Sequence, residues 1–401
     1  MSRADLLPKE HRAERALLLD LLSGTPTPAR FGREADAEAF LSITPEPLYP
    51  LVAANLSARS GELDVPRSLL LALGPHYRGS AMLHARRRAL LRSTMAILAA
   101  AGIDHLLLKG PVLAHTVYAE PATRSMSDLD FLVHPDDLAA AVAALEAAGY
   151  HVPPRYFGMT LPAGDAPALE PPGEQGILIE LHTILDSTGD DDAALQSAWA
   201  GARRLDLGGG LIAPTLGADA FFTHVVMHLS KHHRFESSLR ALLDVALLLK
   251  AEAQSLQWEA LSATWDRQGI LPWMTLTIVL AHELLGAPLP PPFVKCDAAV
   301  REALPLAAAQ LWRTNAQRVP PRLIVTLTGK LPSPTHAGIE QKRVPMPRGM
   351  AGVRATVYKT GVRVRKVFAA LTNGALRPRN IAESVQQFRE RERLAVLMER
   401  R

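Results

Sequence analysis

Two carboxylates one residue apart, Asp128 and Asp130, run straight into the apolar segment Phe131-Leu132-Val133. A strand sends alternate side chains to the same face. Both acids then point one way, and Leu129, Phe131 and Val133 point the other. Like charges side by side on a half-buried strand are unfavourable unless a cation sits among them. The strand therefore belongs in a sheet whose charged face meets something positive.

The surrounding pattern supplies that sheet. Ser80 to Ala101 predicts a long amphipathic helix with Met82, Leu83, Leu90, Leu91, Met95 and Leu98 as its apolar stripe, stopped by Gly102. "IDHLLLKG" predicts a short strand ending in Lys109-Gly110, and "PVLAHTVYA" a helix with Pro in its first turn. Arg124 to Val133 is the second strand, and "HPDDLAAAVAALEAAGY" a helix stopped by Gly149. Pro153 to Gly176 predicts a loop or irregular hairpin, "GILIELHTIL" a third strand, and Gly208 to Gly210 a break. "DAFFTHVVMHLSKHHRF", "SSLRALLDVALLLKAEA", "WEALSATWDRQG" and "PWMTLTIVLAHELLG" follow as helices. The expected fold class is α+β: a small mixed sheet flanked by N- and C-terminal helical regions. The expected divisions are a helical region 1–78, an α/β domain 79–208, a helical domain 209–300 over the cleft, and a Pro-containing basic region 301–401.

In the third strand Leu178, Glu180 and His182 share a face opposite Ile177, Ile179 and Leu181. If it neighbours the second strand, Glu180 joins Asp128 and Asp130. Three clustered carboxylates suit a hard divalent cation, Mg²⁺ or Mn²⁺, which leaves its other positions to water and phosphate oxygens. In "LLLKGPVLAH" a strand turns through Lys109-Gly110 into a helix N-terminus, a combination that attracts phosphate. Turn and strand together describe a site for a metal-bound nucleoside triphosphate.

The run "LLLKGPVLAHTVYAEPATRSMSDLDFLVHPDDLAAAVAALEAAGY", followed by "IELHTIL", resembles the bacterial nucleotidyltransferase-like proteins of the DNA polymerase β superfold. The similar subgroup has Lys-Gly where better-known relatives have Gly-Ser. The resemblance covers about residues 80–250 and lies in the order strand-KG-helix, Arg, Ser-Asp-Leu-Asp, helix, Glu-x-His. It implies a nucleotidyltransferase core and metal-dependent transfer of a nucleoside monophosphate to an acceptor, with release of pyrophosphate. Asp128 and Asp130 match the metal ligands, and Glu180 the third carboxylate that activates an acceptor hydroxyl. Two departures stand out: Lys109-Gly110 lacks the hydroxyl of Gly-Ser, and Glu180 replaces the commoner Asp. The altered turn motivates the alternative of a catalytically inactive relative that senses nucleotide or binds a partner.

Other residues carry two readings each. Arg124 either pairs with Asp128 or reaches the triphosphate. Ser127 is a turn residue or a participant. His182 orients a carboxylate or acceptor, or is a satisfied strand histidine. His224, His228 and His232 share one helix face beside His233, near the cleft or packed on the α/β domain, and structural zinc is disfavoured there. Arg240 and Asp244 lie one turn apart and are expected to pair, and the resemblance makes Asp244 a site candidate. No phosphate loop, dinucleotide fingerprint or nucleophile elbow occurs.

Charge and composition bound the rest. Residues 341–401 hold 15 Lys or Arg against 4 Asp or Glu, a net +11, so the first 340 residues carry −7. A basic tail suggests an anionic partner, self-association or a solvated tail. Nucleic acid is the weaker partner, because only Tyr358, Phe368 and Phe388 offer stacking surfaces there. The single cysteine, Cys296, cannot form an internal disulfide and is expected to be a buried small hydrophobe. Charges scattered through the first 22 residues argue against a signal peptide, and no run reaches the ~20 apolar residues of a membrane span. The expected compartment is the cytoplasm. The expected partners are a nucleoside triphosphate and a small-molecule, peptide or protein acceptor.

Overall fold

The computed structural model describes residues 2–27, 29–33, 35–157, 159–162, 166–173, 176–185, 192–236, 238–312, 341–344 and 378–399. Helices α1 (Arg12–Ser23), α2 (Ala37–Ile43), α3 (Tyr49–Ala58) and α4 (Arg67–Ala100) precede the sheet region. That region contains β1 (His105–Leu107), α5 (Gly110–Thr116), β2 (Asp128–Val133), α6 (Leu138–Ala147), β3 (Thr160–Pro162), β4 (Leu178–His182), α7 (Asp192–Ala200), β5 (Arg203–Asp206) and β6 (Ile212–Thr215). Helices α8 (Ala218–Met227), α9 (Leu239–Glu252), α10 (Trp258–Arg267), α11 (Leu271–Leu285) and α12 (Ala298–Leu311) follow, then β7 (Gln341–Arg343) and α13 (Pro378–Glu399).

The main sheet has the order β4-β2-β1-β6-β5. β1 runs antiparallel to β2 and parallel to β6, while β2 runs parallel to β4. The result is the small mixed sheet of an α+β fold. Its register places Asp130 directly beside Glu180, and Asp128 beside Leu178. Since neighbouring residues in register share a face, the acids converge as the strand pattern predicts. Leu107, Leu129, Phe131, Ile179 and Leu181 supply the buried apolar side.

Several elements differ from expectation. The predicted helix 80–101 begins earlier, at Arg67, and contains Pro75. Proline deprives the carbonyl four residues back of its donor; that residue, Leu71, lies exposed, where water can replace the lost bond. Met82 and Leu83 point outward, being 70% and 37% exposed. The inward stripe instead runs Ser80, Arg87, Leu91, Thr94, Leu98, a helical repeat whose first two members are polar. The triple glycine 208–210 is the turn of a hairpin between β5 and β6. These four-residue strands carry too few apolar residues to announce themselves, and charged β5 is a sheet edge. Cys296 is half-buried rather than buried. The divisions expected at 78/79 and 300/301 fall inside α4 and α12.

The predicted helix over 219–235 ends at Met227 and continues as a π-helical turn, His228–His232. The His233 amide bonds to the His228 carbonyl at 3.1 Å, and their Nε2 atoms are 3.1 Å apart. A π turn brings residues five apart together, so His233 lies against His228 as well as His232.

The helical layers close one continuous apolar core with the sheet. α13 docks on α12, burying Leu394, Ala395, Leu397 and Met398. Arg391 pairs with Glu236, Glu392 with Arg234, and Arg393 with Glu302. No described helix is long and apolar enough to cross a membrane.

Candidate active site

The site forms where β1 ends against β2. The Leu108 amide donates to the Asp130 carbonyl, extending the pairing by one residue before the chain turns. Lys109 makes the turn with φ 43° and ψ −111°, a backbone conformation that costs any side-chain-bearing residue energy. The turn delivers Lys109 Nζ to within 3.2 Å of Asp130 Oδ1. Gly110 then starts α5. A Cβ there would lie 2.9 Å from an Arg124 nitrogen, so the close approach that requires glycine is to Arg124.

Asp130 is 3% exposed, and His182 Nε2 lies 3.1 Å from the same Oδ1 that Lys109 reaches. Burial alone would raise its pKa. The Lys109 charge and the His182 hydrogen bond outweigh burial and hold the carboxyl well below the usual range. Glu180, its in-register neighbour, behaves oppositely. Burial, then the charges of Asp130 and Asp128, push its pKa up to about 7. Asp128 is raised by the same two causes, burial and its neighbour Asp130. Ser127 Oγ lies 3.3 Å from Asp128 Oδ2.

Ligand atoms of Asp130, Glu180 and His182 lie within 4.8 Å of one another, a set of two oxygens and one nitrogen that fits a divalent cation. Asp128 stands outside that group but close enough to raise Glu180. After burial, the neighbouring carboxylates add to the rise at Glu180 and Asp128, and that part a cation would relieve. The charge of His228 in the π turn also favours the charged form of Asp130.

Arg124 and Asp244 meet each other. Arg124 donates to both Asp244 oxygens, at 2.9 and 2.8 Å, and both residues are buried. Arg124 therefore pairs with Asp244, not with Asp128. Tyr118 OH donates to Asp244 at 2.7 Å, and Arg240 makes the expected contact one turn away, at 3.4 Å. This network ties the segment before β2 to α9. Tyr118 was not singled out by sequence, because its partner lies 126 residues away and no local pattern links them.

A family model described as "uncharacterised nucleotidyltransferase" matches residues 34–286, well over half of the chain. No curated protein and no solved structure matches it. The matched span runs from before α2 to the end of α11, and so includes the mixed sheet, the converging carboxylates and the Arg124–Asp244 tie. By sequence, by sheet and by the acids the sheet brings together, the chain belongs to this uncharacterised nucleotidyltransferase family.

Proposed function

We propose that the protein transfers a nucleoside monophosphate from a nucleoside triphosphate to an acceptor hydroxyl, releasing pyrophosphate. The observation that carries this reading is the placement of Glu180, in register beside Asp130 and with ligand atoms of Asp130, Glu180 and His182 within 4.8 Å of one another. A general base works best with a pKa near the operating pH. In the proposed step Glu180 removes the acceptor's proton. The acceptor oxygen bonds to the α-phosphorus, the bond to the bridging oxygen breaks, and its electron pair leaves with pyrophosphate. Mg²⁺ or Mn²⁺, held by Asp130 and Glu180 with Asp128 or His182, would supply charge stabilisation to the phosphoryl oxygens. Lys109 is placed to neutralise phosphate, Ser127 to orient Asp128, and His182 to orient Asp130. Arg124 and Asp244 hold the walls of the cleft in place.

A second reading has one observation in its favour. Lys109 and His182 already converge on Asp130 Oδ1, an internal cation where a catalytic metal would sit. That arrangement suits a relative that binds nucleotide without transferring it.

The separating experiment follows label from radiolabelled nucleoside triphosphates into extract components, together with pyrophosphate release. Glu180→Gln keeps the side chain's size and removes its charge. Transfer should fall ~10²–10⁴-fold with nucleotide affinity retained. Equal transfer by both proteins would remove Glu180 from the chemistry. Nucleotide binding without transfer or pyrophosphate release by the wild type favours the sensor.

A further inference from the structure

The inward stripe of α4 contains one charged residue, Arg87. It is 9% exposed, and its Nε is sealed from solvent with no hydrogen-bond partner. Three arginines are buried among the described residues. Arg124 holds Asp244, and Arg234 holds Glu392 at 3.1 Å. Arg87 forms neither a hydrogen bond nor an ion pair with any described residue. Of its nitrogens only Nε is sealed without a partner, so the stem is buried while the tip of the guanidinium stays open. Burial depresses its pKa, and the one charge that opposes this is Asp128. A partly desolvated cation held by its stem, with no anion of its own, points to an anion that the protein does not supply.

Its place in the fold says which anion. Ser80 donates to the Ala122 carbonyl at 2.6 Å, and Tyr77 to Glu120 at 2.5 Å. These bonds fix α4 along the segment that leads into β2, and Arg88 and Arg92 donate to the Gly208 and Gly209 carbonyls of the β5–β6 turn, so Arg87 lies between them and within reach of the charge of Asp128. The charge of Arg240 also acts on Asp128. Arg124 engages both oxygens of Asp244, and Arg240 keeps a single 3.4 Å contact with that carboxylate. Arg240 is thus largely committed to Asp244, and Arg87 to no described carboxylate. Glu180 lies across the site on β4, at the other side of β2 from β1. In an in-line displacement the entering oxygen and the leaving group are on opposite sides of phosphorus. If the acceptor enters at Glu180, the pyrophosphate leaves on the far side, away from β4, where this stretch of α4 lies.

We propose that Arg87 binds the pyrophosphate portion of the nucleoside triphosphate, from the Asp128 side of the cleft. The proposal rests on the nucleotidyltransferase reading. A guanidinium presents paired donors to phosphate oxygens, and partial desolvation strengthens those bonds. Arg87 is thereby the residue that separates binding of a triphosphate from binding of a monophosphate.

The test uses calorimetry on the full chain with Mg²⁺, and three probes: inorganic pyrophosphate, non-hydrolysable α,β-methylene triphosphates of the four ribonucleosides, and the four monophosphates. Arg87→Met keeps the apolar stem without the charge, and Arg87→Lys keeps the charge without the fork. Arg87→Met should weaken pyrophosphate and triphosphate ~10- to 100-fold, the loss of one or two charged hydrogen bonds. Monophosphate affinity should change less than ~3-fold, and Arg87→Lys should recover part of the loss. The ligand-free melting temperature of Arg87→Met should not fall below the wild type's, because the apolar stem is kept and no described residue pairs with the charge removed. A lowered melting temperature with all three probes weakened alike would make Arg87 a packing residue and overturn the proposal. Unchanged pyrophosphate and triphosphate binding would also overturn it while leaving the nucleotidyltransferase reading intact. A wild type that binds neither would remove both.

Discussion

Burial decides the protonation of His115, at the end of α5. Its pKa is lowered to about 4 by burial and then by the charges of His84 and Arg88; the His84 ring centroid is 5.1 Å away. The unfolded chain takes up this proton near pH 6.5, the folded protein only near 4. Between those values the unfolded state binds more protons, so this contribution to stability is intact above pH 6.5 and is lost as pH falls toward 4. Glu180 acts in the opposite sense. Raised from 4.5 to about 7, it keeps a proton that the unfolded chain has lost, so stability falls as pH rises through that window. Urea midpoints measured from pH 4 to 7 without divalent ions should separate the two. His115→Gln should flatten the acid-side loss, while the Glu180 slope persists in both proteins and cancels in their difference. Parallel curves would mean that His115 titrates as if exposed. At this scale the sequence was informative where chemistry sits on a strand. Period-two alternation placed Asp128, Asp130 and Glu180 on one face, and the register brought Asp130 beside Glu180. Arg87 was not legible, because a helix stripe read for apolar residues passes over a polar member of the same face.

Between elements, Asp244 ties α9 to the segment before β2. It satisfies Arg124, which in turn crowds Gly110 at the start of α5. Asp244→Asn leaves Arg124 buried without a counter-charge, which should cost about 3–5 kcal/mol in urea unfolding. Replacing both partners with apolar residues, Arg124→Met with Asp244→Leu, should restore only part of that stability, because Tyr118 OH and Arg240 then lose their acceptor. A loss below about 1 kcal/mol for Asp244→Asn would mean that water reaches the pair. The Arg240–Asp244 contact could be read from four-residue spacing. The Arg124–Asp244 contact could not, because it spans 120 residues and depends on how α9 packs over the sheet. Element identity followed the same rule. Long periodic helices and the carboxylate strand were recoverable. The β5–β6 hairpin and the π turn were not, since both arise from packing against neighbours already in place.

For the whole molecule, net charge was a poor guide to where the chain ends its core. Residues 341–401 carry +11, which by composition alone allows a solvated tail. Within that span α13 nonetheless packs Leu394, Leu397 and Met398 into the core. Glu392 meets the buried Arg234, and Arg391 meets Glu236, so part of the tail's charge is spent on holding α13 in place. The repeat that buries these side chains is short and interleaved with arginines, so charge masks its apolar stripe. The consequence is an energetic one. Ending the chain at residue 377 uncovers α12 and strands Arg234. Each buried Leu or Met contributes roughly 1.5–3 kcal/mol, offset by the entropy of ordering the helix. The truncated protein should therefore lose at least about 3 kcal/mol. The single substitution Leu394→Ala should cost about 2–5 kcal/mol, because that side chain is fully buried. Both are read from urea midpoints at pH 7.5, with circular dichroism confirming that the remaining helices persist. An unchanged midpoint in both variants would mean that α13 contributes no net stability and that the core closes at α12. A loss in the truncation alone would assign the stabilisation to the ion pairs, and Glu392→Gln would then reproduce it.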